Sequence, residues 1–97
     1  MSYAKRTDQT QAAIVEALRA GGYFVWLTHR QGGGFPDLLC VSKSHIPVLL
    51  EVKTDAGSLT PKERLFFNEY PGPHRVVCSP EQALLTMEIY DEMELWG

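Results

Sequence analysis

The sequence predicts one α/β domain, in which a central mixed β-sheet is flanked by helices. Three observations predict this class. Apolar residues recur at helical spacing near the start of the chain, four short runs are rich in leucine, valine and aromatic residues, and two Ser/Thr-Pro pairs mark helix starts. The predicted order is α-β-β-β-α-β-α, with three strands in a meander and the fourth reached through a helical crossover. Because 97 residues suffice for one modest core, we assign residues 1–97 to a single domain.

The first half of the chain is predicted to form one helix and three strands. Thr7 is the predicted N-cap of the helix, which ends at Gly21-Gly22. Phe24 and Trp26 lie in the first strand and are expected in the core, the alternative being that they stack on bases of a nucleic acid. A glycine-rich break and the short KSHIP connection separate the three strands, which are YFVWLTH (23–29), PDLLCVS (36–42) and VLLEVKT (48–54).

The second half is predicted to form two helices that begin in the same way, with one strand between them. Thr60, Pro61 and Glu63 predict an N-cap, a proline at the first helical position and a capping box. The run Ser79-Pro80-Glu81-Gln82 repeats this arrangement after the strand HRVVCS (74–79). The last helix carries more apolar residues than one small sheet needs to cover, so we interpret part of its surface as a subunit interface.

Charge is distributed unevenly along the chain. The net charge is −3, but five of the 12 acidic residues lie from Glu81 onward, so the rest carries nine basic and seven acidic residues. A mildly basic remainder is compatible with a polyanionic partner. No apolar run approaches the roughly 20 residues of a membrane helix, and the N-terminus lacks the apolar core of a signal peptide. We therefore expect a cytoplasmic protein with no membrane partner, in which Cys40 and Cys78 are reduced.

Three charged residues in or beside the second and third strands predict a functional site. If Ser42 lies opposite Val48 in a hairpin, Asp37 faces Lys53 and lies diagonal to Glu51 on the same side of the sheet. Two carboxylates at this spacing can share one small cation, and their hard oxygen ligands suit Mg²⁺ or Mn²⁺. A metal-bound water and a neighbouring lysine suit the hydrolysis of a phosphodiester. The alternative is a plain salt bridge between Asp37 and Lys53, with Glu51 exposed to solvent.

Several short motifs surround these residues. They are Gly34-Phe35-Pro36-Asp37, Leu49-Leu50 before Glu51-Val52-Lys53, Leu59-Thr60-Pro61, Arg75-Val76-Val77 and Ser79-Pro80-Glu81-Gln82-Ala83. In this combination and order the chain resembles the PD-(D/E)xK nuclease superfamily, and more narrowly its VRR-NUC domain family. The resemblance covers nearly the whole chain and implies a restriction-endonuclease-like core.

The resemblance implies a metal-dependent DNA endonuclease of DNA repair, which hydrolyses phosphodiester bonds in branched DNA such as Holliday junctions or flaps. Mg²⁺ or Mn²⁺ would be bound by Asp37 and Glu51, with the backbone carbonyl of Val52 as a third ligand. Lys53 would position or activate the attacking water.

Two further positions of the family motif match less closely. The family carries an acid on the first helix, for which Asp8 and Gln11 are the candidates here. It usually has a glutamine on the helix after the Glu-x-Lys strand, where this chain has Glu63, a residue that the capping box already explains. Further candidate DNA contacts are the three glycines of the loop before Asp37 and the basic and imidazole groups near it. They are Gly32, Gly33, Gly34, His29, Arg30, Lys62 and Arg64.

The resemblance also bears on assembly and source. Small stand-alone members resemble dimeric resolvases, which favours a homodimer through the C-terminal helix or a sheet edge, in a bacterial or phage-infected cell. Two other functions stay open: a catalytically inactive nuclease fold that binds DNA or protein, and an oligomeric assembly protein whose charged hairpin is only a salt bridge.

Overall fold

The computed structural model describes residues 3–54 and 58–93, and side chains from Thr7 onward within these ranges. The order of elements is the predicted α-β-β-β-α-β-α. The elements are α1 (Tyr3–Ala20), β1 (Phe24–Leu27), β2 (Leu38–Val41), β3 (Pro47–Val52), α2 (Pro61–Glu69), β4 (His74–Val77) and α3 (Pro80–Asp91). No helix in these ranges is long and apolar enough to cross a membrane.

The four strands form one mixed sheet in the order β1-β2-β3-β4. The first three strands are antiparallel neighbours, and β4 runs parallel to β3 after the crossover through α2. The meander and the helical crossover are therefore confirmed, and β1 and β4 form the two edges of the sheet.

The β2–β3 hairpin is tighter than predicted. Cys40 pairs with Val48, whereas the predicted partner of Val48 was Ser42. The Ser42 N–H instead donates to the Ile46 carbonyl at 2.8 Å, and the Ser42 hydroxyl accepts from the Ile46 N–H at 2.9 Å. His45 closes this short turn with a left-handed backbone conformation, φ 70°.

The tighter turn moves the partner of each β2 residue by two positions along β3. Because side chains alternate with a period of two, an even shift leaves every side chain on its predicted face. Continued past the end of β2, however, the observed register puts Asp37 in line with Glu51 and not with Lys53. The predicted pairing of Asp37 with Lys53 across the hairpin is therefore wrong.

One face of the sheet forms the hydrophobic core, and we call it the core face. It packs against α1 and α3, which contribute Ile14, Leu18, Ala83 and Met87, all fully buried. Its own side chains come from every second strand residue and are at most 4% exposed: Val25, Leu38, Cys40, Val48, Leu50, Val52 and Val77.

The opposite face, which we call the open face, is covered unevenly. On the side of β3 and β4 it carries the aromatic residues of α2, where the Phe67 ring stacks on His74 with centroids 4.6 Å apart. On the side of β1, Phe24 and Trp26 are 56% and 61% exposed. The expectation that these two residues lie in the core is wrong, because α1 packs on the other face of this edge strand.

The helix starts agree only in part with the sequence. Helix α1 already includes Tyr3, so Thr7 lies inside the helix and is not its N-cap; the residues before it are good helix formers and include no breaker. The capping box of Thr60 and Glu63 is confirmed. At α3, Ser79 accepts from the Gln82 N–H as predicted, but the Gln82 side chain bonds to the N–H of the residue before the cap. Cys40 and Cys78 do not form a disulfide with each other.

Candidate active site

The open face brings the central predicted site residues together at the ends of two strands. Asp37 directly precedes β2, Glu51 and Val52 end β3, and Lys53 follows. All four line one pocket of about 360 Å³, together with residues from α1, from the segment after β3 and from α2: Thr7, Thr54, Ser58 and Glu63.

Asp37 is held in place by hydrogen bonds on both sides. Its carboxylate oxygen Oδ2 accepts from the Val52 N–H at 2.9 Å, which ties it to the end of β3. Its backbone carbonyl accepts from the Thr28 N–H at 2.8 Å, and the Thr28 hydroxyl donates to the carbonyl of the buried Pro36 at 2.8 Å. The Pro-Asp motif is thus fixed between β1 and β3, and the second carboxylate oxygen of Asp37 is left for other contacts.

Glu51 is a buried carboxyl group without full hydrogen bonding. The residue is 3% exposed, and its oxygen Oε1 has no hydrogen-bond partner among the described residues. Burial raises the pKa of Glu51 to about 9, with further contributions from the charges of Asp37 and Glu63 and from a hydrogen bond with Glu63, against which Lys53 acts. Buried carboxyl groups normally have partners, so this group fits a site that a cation completes.

Lys53 links Glu51 to α2. Its Nζ lies 2.8 Å from Oε1 of Glu63 and 3.5 Å from Oε2 of Glu51. Burial alone would lower the pKa of Lys53, but the bond to Glu63 and the charge of Glu51 outweigh it, so the pKa is raised. Lys53 is therefore a charged ammonium that can donate hydrogen bonds and cannot accept a proton near neutral pH.

Glu63 has a second role that the sequence did not predict. Its Oε1 accepts from the Thr60 N–H at 2.8 Å, as a capping box requires, and the same oxygen bonds Lys53. Burial would raise the pKa of Glu63, but the bonds to Lys53 and Thr60 outweigh it and lower the pKa. The first turn of α2 is thereby attached to the site. The sequence did not predict this contact, because the capping box was a sufficient explanation for a glutamate at position 63.

The carboxylates of this pocket fit the modest ligand requirement of a divalent cation such as Mg²⁺. Within residues 3–54 and 58–93, no three His, Cys, Asp or Glu side chains are arranged to hold a metal ion. Mg²⁺, however, commonly binds through only one or two carboxylates together with water and substrate phosphate. Asp37 and Glu51 line one pocket, and Oε1 of Glu51 is left without a hydrogen-bond partner among the described residues, so the pair meets that smaller requirement.

Asp8 and Gln11 are not brought to this pocket. They line a separate pocket of about 650 Å³ with Leu27 and His29, and the Gln11 side chain lies 3.4 Å from the His29 ring. Because residues three and four apart share a helix face, Asp8 belongs to the stripe that faces the edge of β1. The α1 residue that lines the candidate site is Thr7. The capping pattern predicted Thr7 as an N-cap, so its position at this pocket was not expected.

The glycine loop lies against the first turn of α2. Gly34 has φ +89°, and a Cβ there would come within 2.5 Å of the Lys62 carbonyl, so this position requires glycine. Gly32 and Gly33 also have positive φ, and nothing lies within 4 Å of where their Cβ atoms would be. The predicted basic and imidazole contacts in this region are exposed: His29, Arg30, Lys62 and Arg64.

Comparison with known proteins gives one informative result. Neither a protein-family model nor a curated protein matches the chain. A solved structure described as a VRR_NUC domain matches the fold with a TM-score of 0.66 and 26% sequence identity, over 87% of this chain and 96% of that chain. This match supports membership of the VRR-NUC family. The element order and mixed sheet agree with a VRR-NUC nuclease fold, and the likeness suggests a nuclease domain with DNA as its partner.

Proposed function

We propose that this VRR-NUC-type domain is a Mg²⁺- or Mn²⁺-dependent endonuclease that hydrolyses phosphodiester bonds in branched or otherwise structured DNA. One observation carries the proposal: the buried Glu51, with one unpartnered oxygen, shares a pocket with Asp37 and Lys53. A salt bridge that served only stability has no use for a buried carboxyl group without a partner.

Asp37 and Glu51 would hold the cation, with the backbone carbonyl of Val52 as a third ligand. When bound, the cation lowers the pKa of a bound water and stabilises the charge that develops on the phosphate. Asp37 is suited to this role because the Val52 N–H fixes its carboxylate and so holds it in place.

Lys53 would orient the attacking water and neutralise charge on the scissile phosphate. It is a hydrogen-bond donor, since its bond to Glu63 helps to keep it protonated. Glu63 holds Nζ at 2.8 Å and so limits the positions that the ammonium can take. A general-base role for Lys53 is not part of this mechanism.

DNA would reach the pocket past the glycine loop. Gly32 and Gly33 present backbone without side chains, which lets a phosphate strand approach closely. Arg30 precedes this loop, and Lys62 and Arg64 lie in the first turn of α2. All three are exposed and would contact phosphates.

The homodimer also belongs to the proposal. Leu85 and Ile89 are 60% and 53% exposed and lie four residues apart, so they form an apolar stripe along α3, and Met93, 46% exposed, follows the end of the helix. Such a stripe suits a twofold interface. Equilibrium sedimentation would test it: the proposal expects a dimer that Ile89→Glu converts to a monomer, and a monomeric wild type at high concentration would contradict it. We place the enzyme in the cytoplasm of a bacterial or phage-infected cell.

A second candidate is a nuclease fold that binds DNA or protein without cutting. It is favoured by Glu63, which stands where the family usually has glutamine, and by the position of Asp8 and Gln11 in another pocket. The first feature departs from the family pattern, and the second leaves the site without the acid that the family carries on its first helix.

The two candidates are separated by a cleavage panel of linear, nicked, flap, splayed and four-way-junction DNA in Mg²⁺ or Mn²⁺. The endonuclease proposal expects cutting of branched substrates that Lys53→Ala abolishes, with Lys43→Ala as the control because Lys43 lies at the hairpin turn, away from the pocket. Lys53→Ala protein that cuts as fast as wild type would refute the mechanism. Binding without cutting of any substrate would establish the second candidate.

A further inference from the structure

Two aromatic side chains on the open face have no role in the site described above. Phe24 and Trp26 are both more than half exposed, and their rings lie nearly parallel, with an angle of 6° and centroids 6.3 Å apart. Large aromatic groups exposed side by side are costly to leave in water and commonly mark a binding surface.

The register of the sheet places these rings beside the candidate site. Trp26 pairs with Leu39, and Asp37 lies two residues before Leu39, on the same face. The Thr28 N–H donates to the Asp37 carbonyl, so Asp37 continues the ladder of β1 and β2. Trp26 and Asp37 are therefore diagonal neighbours, at a typical separation of about 7–8 Å between backbones.

The chemistry next to the rings favours nucleic acid over a protein partner. The turn that follows β1 carries the exposed Arg30, a cationic group suited to a phosphate backbone, whereas His29 lies against Gln11 on the α1 side. The outer edge of β1 is poorly suited to pairing with another strand, because Arg19 already donates to the Val25 carbonyl there at 3.1 Å. A second copy lying flat over the rings would also lie against Asp37 and obstruct the pocket.

We propose that Phe24 and Trp26 form a stacking platform for unpaired bases of the DNA substrate. Aromatic rings beside a cationic edge bind single strands in this way, since every base has a flat face and the contact does not depend on sequence. The inference rests on the proposed nuclease function and narrows it. The preferred substrate carries unpaired nucleotides beside the cut, as flaps and splayed arms do and a fully paired four-way junction does not.

Binding in EDTA tests the platform without any cleavage. Fluorescence anisotropy would measure the affinity of the full chain for labelled oligo(dT) and for a duplex of the same length. The variants are Trp26→Ala, Trp26→Leu and Trp26→Phe, of which only the last keeps a ring. Leu27→Ala is the matched control, because Leu27 is an exposed neighbour on the same strand that points to the opposite face.

The platform predicts that Trp26→Ala and Trp26→Leu weaken oligo(dT) binding about 10- to 100-fold. Trp26→Phe and Leu27→Ala should stay within about threefold of wild type, as should duplex binding by every variant. Unchanged oligo(dT) affinity in a Phe24→Ala, Trp26→Ala double variant overturns the proposal. So does a wild-type dimer that Trp26→Ala dissociates while oligo(dT) affinity is kept, because the face is then a subunit interface.

Cleavage distinguishes a failure of this inference from a failure of the proposed function. If the platform is right, wild type cuts a flap faster than a fully paired four-way junction, and Trp26→Ala removes most of that preference. Equal loss of cleavage on both substrates contradicts the platform and leaves the nuclease proposal intact. Absence of any cleavage by wild type, with ring-dependent oligo(dT) binding, contradicts the nuclease proposal alone.

Discussion

The two faces of the sheet are built from alternate residues of the same strands, yet they have different tasks. On β3, Leu50 and Val52 point to the core face and Glu51 to the open face, and all three are at most 3% exposed. The core-face side chains are surrounded by apolar neighbours, whereas Glu51 keeps an oxygen without a partner. Burial alone therefore does not separate a structural position from a functional one in this protein. The unpartnered oxygen is the feature that singles out Glu51 as the proposed metal ligand.

The largest expected effect is a loss of cleavage when the open face loses a metal ligand. Asp37→Asn should reduce the cleavage rate at least about 100-fold, because a ligand charge that contributes several kcal/mol to the transition state is removed. The fold should survive, since an amide oxygen can still accept from the Val52 N–H. Asp8→Asn is the matched control and should cut normally, because Asp8 lines the other pocket. Single-turnover rates on one flap substrate measure both.

A change on the core face should act on stability instead. Leu50 is fully buried, so Leu50→Ala removes packed methyl groups and leaves a cavity. We expect the free energy of unfolding to fall by about 2–5 kcal/mol. Urea denaturation at matched protein concentration measures it. A loss below about 1 kcal/mol would show that the core face is not the stabilising one.

Glu51→Gln should change how the free energy of unfolding depends on pH, because it removes the proton of the buried carboxyl group. The folded protein holds the Glu51 proton up to a pKa of about 9, whereas the unfolded chain releases it near the ordinary value of 4.5. Between these values the native state binds more protons, so the wild-type free energy of unfolding falls as the pH rises from 5 to 9.

The glutamine variant lacks this proton and should lose that part of the slope. At pH 8 without metal, we expect it to be more stable than wild type by a few kcal/mol, because wild type must take up a proton at Glu51 when it folds and the variant does not. Thermal unfolding at several pH values, in EDTA, measures the difference. Parallel pH profiles for the two proteins would contradict the high pKa of Glu51.

The smallest change in the free energy of unfolding is expected for a substitution of Trp26. Because its ring is 61% exposed, Trp26→Ala should change the free energy of unfolding by no more than about 0.5 kcal/mol. The same urea experiment measures it beside Leu50→Ala. A loss of 2 kcal/mol or more would mean that the ring is packed in solution and that the open face is not open at β1.

Much of the architecture could be predicted because local signals agree with the fold. The Thr60 capping box, the glycines after α1 and the alternation along β3 each gave the correct element, and Asp37, Glu51 and Lys53 were placed on the correct face. These signals depend on neighbouring residues alone.

The missed features depend on tertiary contacts. The hairpin register follows from the left-handed His45, which no pattern of apolar residues reveals. Phe24 and Trp26 fit a core strand by composition, and only the placement of α1 and α3 on the other face leaves them exposed. The bond from Glu63 to Lys53 joins α2 to the residue that follows β3 and could not be inferred from the capping motif.

The central claim is that the open face holds a divalent cation between Asp37 and Glu51. Calorimetric titration of the metal-free protein with Mn²⁺ at pH 8 tests it most directly, with Glu51→Gln as the comparison. We predict saturable binding by wild type, accompanied by proton release because Glu51 must ionise, and no saturable binding by the variant. Absence of saturable binding by wild type, or equal binding by both proteins, would contradict the account.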